Sequence, residues 1–225
     1  VSALQILRVS AQNRARRQMY KIKGGNELLP LAFAKALPKI IHYGSPVTAI
    51  EQNEKGVRVV FQDSGGQQTI DGDYLICTLP YSVLKKINVS PKFSSEKQKA
   101  IDKLWYTSIA RVCLQTKKRY WLDDNLSGFA STDLPIMESW DLSNNLPGKR
   151  GMLLAYSSGE AAQRIAKMPD EERASFTVEY MDKIFPGMKE QIETCASVCW
   201  DNEEYSRGAW AWLKPGQTAA LLPHI

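Results

Sequence analysis

The 225-residue chain has only two histidines, His42 and His224. Histidine-based catalysis and histidine-rich metal centres are therefore poorly supplied. Its four cysteines are too few for a disulfide scaffold at this length. Cys195 and Cys199 lack the second Cys or His pair that zinc would need. Cys77 and Cys113 sit inside apolar, strand-like runs and read as buried thiols. No apolar run approaches membrane-spanning length, which favours a soluble, cytoplasmic chain. Net charge is +5, from 29 basic and 24 acidic residues, too diffuse to predict a nucleic-acid partner. The densest basic run, Arg14–Arg17, reads as a solvated helix face. No Gly-x-Gly-x-x-Gly occurs, so the fingerprint of a dinucleotide-binding strand–helix unit is missing. Neither a starting Met nor a signal-peptide pattern opens the chain, and it stops at Pro223-His224-Ile225. Both ends read as cut.

What is abundant is aromatic and local. Trp200, Tyr205, Trp210 and Trp212 fall within thirteen residues, with Gly208 just before the second tryptophan and Pro215-Gly216 turning the chain after the third. A glycine there lets another backbone or a flat ligand come close. Two readings stand: the tryptophans are core, or they wall a planar ligand or a cationic amine.

The remaining sequence is 44% hydrophobic and 24% charged, as in ordinary globular protein. Residues 1–20 read as an amphipathic helix and Glu27–Leu37 as a second, with Pro30 tolerable only near its first turn. Ile40-Ile41 and Val47–Ile50 are short apolar runs. Gly56–Phe61 and Gln67–Ile70, split by Asp63-Ser64-Gly65-Gly66, predict a hairpin. Asp73–Leu79 is nearly continuous in apolar residues, as a strand buried on both faces would be. Ser95 and Gln98 have capping-box spacing at the start of a helix. Ser108–Leu114, Ile136–Trp140, Gly151–Tyr156 and Ile192–Trp200 read as strands. Pro169–Phe185 reads as a helix with acids in its first turn. Helices and strands without strict alternation imply a mixed α/β (α+β) layered fold.

The order of motifs carries a resemblance. Gly24-Gly25-Asn26-Glu27-Leu28-Leu29-Pro30, Pro46-Val47-Thr48-Ala49-Ile50-Glu51 and Asp73–Pro80 with Val83-Leu84 resemble the flavin-containing amine oxidase family. Lys117–Trp121, Ser131–Pro135 and Ala155-Tyr156 look most like its L-amino-acid oxidase branch, and Trp200 with Tyr205–Gly208 fits near the end. The resemblance covers nearly the whole chain.

It implies an internal fragment of a two-domain flavoprotein oxidase fold, mostly the substrate-binding domain with a mixed sheet flanked by helices. Residues 1–22 would be a helical segment of the substrate domain and 23–88 a partial FAD-binding domain. Residues 89–207 would be the substrate-binding domain, and 208–225 the return towards FAD. Alone, such a fragment is not expected to hold FAD or to be active.

The implied reaction is hydride transfer from a primary amine or L-amino acid to flavin. The products are an imine, then an aldehyde or keto acid with ammonia, and hydrogen peroxide from molecular oxygen. Alternatives are an amino-acid monooxygenase, a polyamine oxidase, or a non-catalytic module on the same fold. A homodimer is compatible with the resemblance.

At single residues, the resemblance puts Trp210 in the aromatic cage facing the amine and Trp200 near the flavin. Val47 would meet the adenine end through its main chain. Gly208 and Ala209 stand at the crossing to FAD, and Ala209 replaces the flavin-linked cysteine of the monoamine oxidases, so FAD would be non-covalent. Arg111 stands where the family usually has a lysine. It reads either as a catalytic charge beside the flavin or as a structural ion pair. Trp140 falls near a substrate-contacting aromatic, or is a packed strand residue. Glu138 and Asp141 beside it differ from the uncharged residues of that branch.

Overall fold

The computed structural model describes residues 2–13, 20–144 and 146–225, and the chain divides into two compact units. The first holds the start of the chain through Trp105 together with Trp212–Ile225; the second is Tyr106–Ala211. The basic run Arg14–Arg17 lies outside the described residues.

In the first unit, α1 (Ala3–Asn13) and α2 (Leu28–Ala36) precede a sheet of β1 (Val47–Asn53), β2 (Gly56–Asp63) and β3 (Gly66–Gly72). The hairpin forms as its turn predicts. The Asp63 carboxylate accepts from the Gly65 amide at 2.7 Å, and Gly66 takes the positive φ of +102° that a side chain would resist. After the short helix α3 (Tyr81–Leu84), β4 (Asn88–Ser90) adds to β1 in parallel, so the order is β3-β2-β1-β4. Helix α4 (Ser95–Lys103) follows. Its cap is Ser94, which accepts from the Lys97 amide, rather than the Ser95–Gln98 box; Gln98 instead donates to Asp102.

The run Asp73–Leu79 departs from expectation. It forms neither helix nor paired strand, and Tyr74 and Ile76 are 94% and 88% exposed. A strand buried on both faces needs neighbours on each side, and no described strand pairs with it. Cys77 is accordingly exposed rather than buried, and Cys113 is only partly buried. Helix α2 is also apolar without a buried residue.

The short strand β5 (Trp105–Tyr106) leads to the second unit. There, β6 (Ile109–Thr116), β7 (Ala130–Ser131), β8 (Glu138–Asp141), β9 (Gly151–Ser158) and β10 (Ile192–Cys199) form one antiparallel sheet in the order β10-β6-β9-β8-β7. Helices α5 (Gly159–Ala166), α6 (Asp170–Ile184) and α7 (Met188–Gln191) lie between β9 and β10 in the chain. Period-two alternation sorts the side chains. Val112, Leu114, Leu153 and Ala155 join Ala162 and Ile165 of α5 and Met181 of α6 in one buried core. Trp121 completes it at zero exposure, in space that a side chain at Gly151 would fill: a Cβ there would lie 2.3 Å from the indole. The chain then returns through β11 (Ala211–Trp212), which pairs with β5, to α8 (Gln217–Leu221), where Thr218 bonds Ser2.

Arg173 of α6 ties the helices to the sheet. Its nearly buried guanidinium donates to the Ile165 and Met168 carbonyls, to Ser197 Oγ on β10 and to Asp170. One planar fork thereby satisfies the end of α5, the start of α6 and an edge strand together. Arg173→Met should lower unfolding free energy by about 2–4 kcal/mol, because those acceptors lose their donor. Arg173→Lys should restore only part of it. Urea unfolding of the three proteins measures both.

Candidate active site

The aromatic stretch folds back on itself at the end of β10. The Trp200 amide donates to the Ile109 carbonyl at 3.0 Å, and the Gly208 amide returns to the Trp200 carbonyl at 2.9 Å. The Ala209 amide then donates to Thr107 at 2.8 Å, and the Thr107 amide to Trp210 at 2.9 Å. Four main-chain bonds thus fasten the loop beside the start of β6. Asn202 pins its far side through the Ala166 carbonyl.

Gly208 is what permits the closure. Its φ is +132°, and a Cβ there would lie 2.7 Å from the Tyr106 Cβ. Both conditions exclude a side chain.

The result is a recess of about 190 Å³ lined by Arg111, Trp200, Ser206, Gly208, Ala209 and Trp210. Five of the seven residues singled out from the sequence meet there. Trp200 is half-buried and Trp210 is 43% exposed, so neither belongs to the core. Arg111 is exposed and, among the described residues, has no carboxylate partner.

Trp140 lies off the recess but on the same sheet face. Its ring packs edge-on to Tyr156 at 5.2 Å, and the Arg111 guanidinium sits 5.9 Å from the centre of that same Tyr156 ring. Tyr156 is the residue that sequence reasoning noted only as part of a motif. Its signal was its place opposite Arg111 in the sheet, and that register emerges only on folding. Burial raises the Tyr156 phenol pKa; the Arg111 charge opposes this and Glu138 adds to it. The phenol therefore stays protonated at neutral pH, available as a donor. Burial also raises the Cys113 thiol on this face, against the opposing Arg111 charge. Val47 stands in the other unit, as the first residue of β1.

Two indole walls, one permanent cation and a backbone edge without a thiol suit one edge of a planar heterocycle that gains negative charge. The recess is too small for more than that edge. Gly208→Ala should cost about 1–3 kcal/mol of stability, from backbone strain and overlap with Tyr106. It should also change tryptophan fluorescence as the loop shifts. Thermal unfolding followed by fluorescence reads both.

Comparison with known proteins agrees with the resemblance. The model of the flavin containing amine oxidoreductase family matches residues 2–224. YobN of Bacillus subtilis is 30% identical, covering 100% of this chain and 49% of its own length. The L-amino-acid oxidase of Demansia vestigiata is 28% identical, covering 88% of this chain and 39% of its own. The chain thus spans half or less of the curated relatives it matches. Among solved structures, putrescine oxidase bound to putrescine has a TM-score of 0.72 at 23% identity, covering 84% of this chain and 41% of its own. Cyclohexylamine oxidase from Brevibacterium oxydans has a TM-score of 0.77 at 17% identity, covering 89% and 44%. At those identities the likeness is one of fold. With its family match running almost end to end, the chain belongs to the flavin-containing amine oxidoreductase family.

Proposed function

We propose that this chain is part of an FAD-dependent oxidase of primary amines or L-amino acids, with FAD held without a covalent link. The carrying observation is that Arg111, Trp200, Gly208, Ala209 and Trp210 converge on one recess in a chain of this family. FAD, when bound, supplies the two-electron acceptor: it takes a hydride equivalent from the amine α-carbon to leave an imine, and oxygen restores it with formation of hydrogen peroxide. Water then converts the imine to an aldehyde or keto acid and ammonia.

The chain's own contribution is placement. Trp210 walls the amine and Trp200 stands near the flavin, and together they keep water from the reacting carbon. Ala209 offers a methyl group where a thiol would bond the ring. Arg111 supplies a fixed positive charge at the recess without a proton to exchange, and this disfavours a protonated amine next to it. Tyr156 and Trp140 limit the neighbouring sheet face. In this reading residues 23–88 belong to the FAD-binding domain, where Val47 meets the adenine end through its main chain. Residues 89–207 form the substrate domain, and 208–225 return towards FAD.

The direct test is the visible absorption of the full-length polypeptide containing this chain, under anaerobic addition of L-amino acids and then arylalkylamines. Flavin absorption that bleaches with either class is expected. A colourless protein that takes up no added FAD overturns the proposal. Arg111→Met should slow flavin reduction or reoxidation by roughly tenfold or more, the scale of one lost charge-assisted contact. Stopped-flow half-reactions resolve which; unchanged rates in both would remove Arg111 from the mechanism.

A further inference from the structure

The first unit holds a cavity of about 440 Å³ lined by β1, β4, α3 and α4. Its floor is one face of the parallel pair β1–β4. Side chains alternate along a strand, so Ala49 and Glu51 share that face. The register sets Asn88 opposite Ala49 and Ser90 opposite Glu51. Alanine and serine are short and leave space above the strands. Leu84 of α3 and Ile101 of α4, both buried, form an apolar wall with Ile87 beside them. The volume lies within the usual range of small-molecule pockets, about 300–1,000 Å³.

Charges of both signs line this cavity without pairing to each other. Lys85 follows α3 and Lys92 follows β4. Both are exposed, and neither side chain makes a hydrogen bond or ion pair among the described residues. Glu51 likewise makes no ion pair among them. Arg58 stands opposite Glu51 in the register, but its guanidinium is held by Asp71 through two bonds, at 2.7 and 3.1 Å. A carboxylate and two ammonium groups that line one space unpaired are complemented by a molecule carrying both charges.

We propose that this cavity is a binding site for a zwitterionic α-amino acid with an apolar side chain. Lys85 and Lys92 take its carboxylate, Glu51 takes its ammonium, and its side chain lies against Leu84, Ile87 and Ile101. Gln98 lines the same space and already donates to Asp102, so its amide oxygen is left to accept from the ligand. All of these residues belong to the first unit, whereas the recess at Arg111 belongs to the second. The site therefore stands or falls without the oxidase reading.

The test is protection of single lysines from acetic anhydride in the full-length polypeptide containing this chain, under anaerobic conditions and read by peptide mass spectrometry. Three ligands of similar size divide the charges: L-norleucine carries both, hexanoate only the carboxylate and pentylamine only the ammonium. Saturating L-norleucine should slow acetylation of Lys85 and Lys92. Lys86 and Lys99, exposed and outside the cavity lining, should react at an unchanged rate. Hexanoate should need about tenfold more ligand for the same protection, the scale of one lost charge-assisted contact, and pentylamine should give none. Glu51→Gln should weaken protection by L-norleucine to the hexanoate level. Unchanged protection by hexanoate in that variant separates lost charge from lost folding. No protection by L-norleucine, equal protection by hexanoate or by pentylamine, or a wild-type response in Glu51→Gln overturns the proposal.

Discussion

The candidate site depends on the return of the aromatic loop to the strand beside which it begins. Trp200 leaves β10, and within ten residues the main chain must come back to bond Trp200 itself and Thr107. The approach at Tyr106 leaves no room for a Cβ at position 208, and the backbone turn there requires positive φ. One glycine thus permits the three main-chain bonds of that return, and those bonds hold two indoles and an alanine around Arg111. Were the loop tethered by side chains alone, its walls would carry the rotamer freedom of each tether. Main-chain bonds to a strand give a site the rigidity of the sheet.

In the second unit the two faces of the five-stranded sheet carry different side chains. Valine, leucine and alanine on β6 and β9 meet α5 and α6 on one face, with Arg173 completing the seam. On the other face β6 and β9 present Arg111 and Tyr156, and β8 presents Trp140 and Glu138. The arginines show the division most plainly. Arg173 is buried with all its acceptors in place, a structural use of the planar fork. Arg111 is exposed and, among the described residues, its guanidinium faces the Tyr156 ring without an ion pair. Residue type does not distinguish them; the parity of their strand and helix positions does.

The first unit has a different character. Its meander is formed, yet among the described residues α2 buries none of its apolar side chains and no strand pairs with Tyr74–Leu79. The chain spans half or less of its curated relatives. Apolar segments that find no cover within such a stretch are what a partial span of a larger fold would leave.

Much was legible before folding, because it depends on local chemistry. The Asp63–Gly66 turn, the strands from Ser108 and Gly151, the acid-led helix at Asp170 and the unusual density of tryptophan near Gly208 all follow from turn residues, alternation and composition. Arg111, Trp200, Gly208, Ala209 and Trp210 could be singled out by motif order and then met in one recess. Motif order also sufficed to indicate the family. Three things were decided only by tertiary structure. Asp73–Leu79 has the composition of a buried strand, but burial requires partners that no single segment supplies. Ser94 rather than Ser95 caps α4, a one-residue choice settled by backbone geometry. Above all, the row Glu138–Tyr156–Arg111 joins residues far apart in the chain, and a shift of one position in any strand would turn its side chain to the other face. Local sequence determines which segments alternate; the pairing of strands determines which charges come to share a surface.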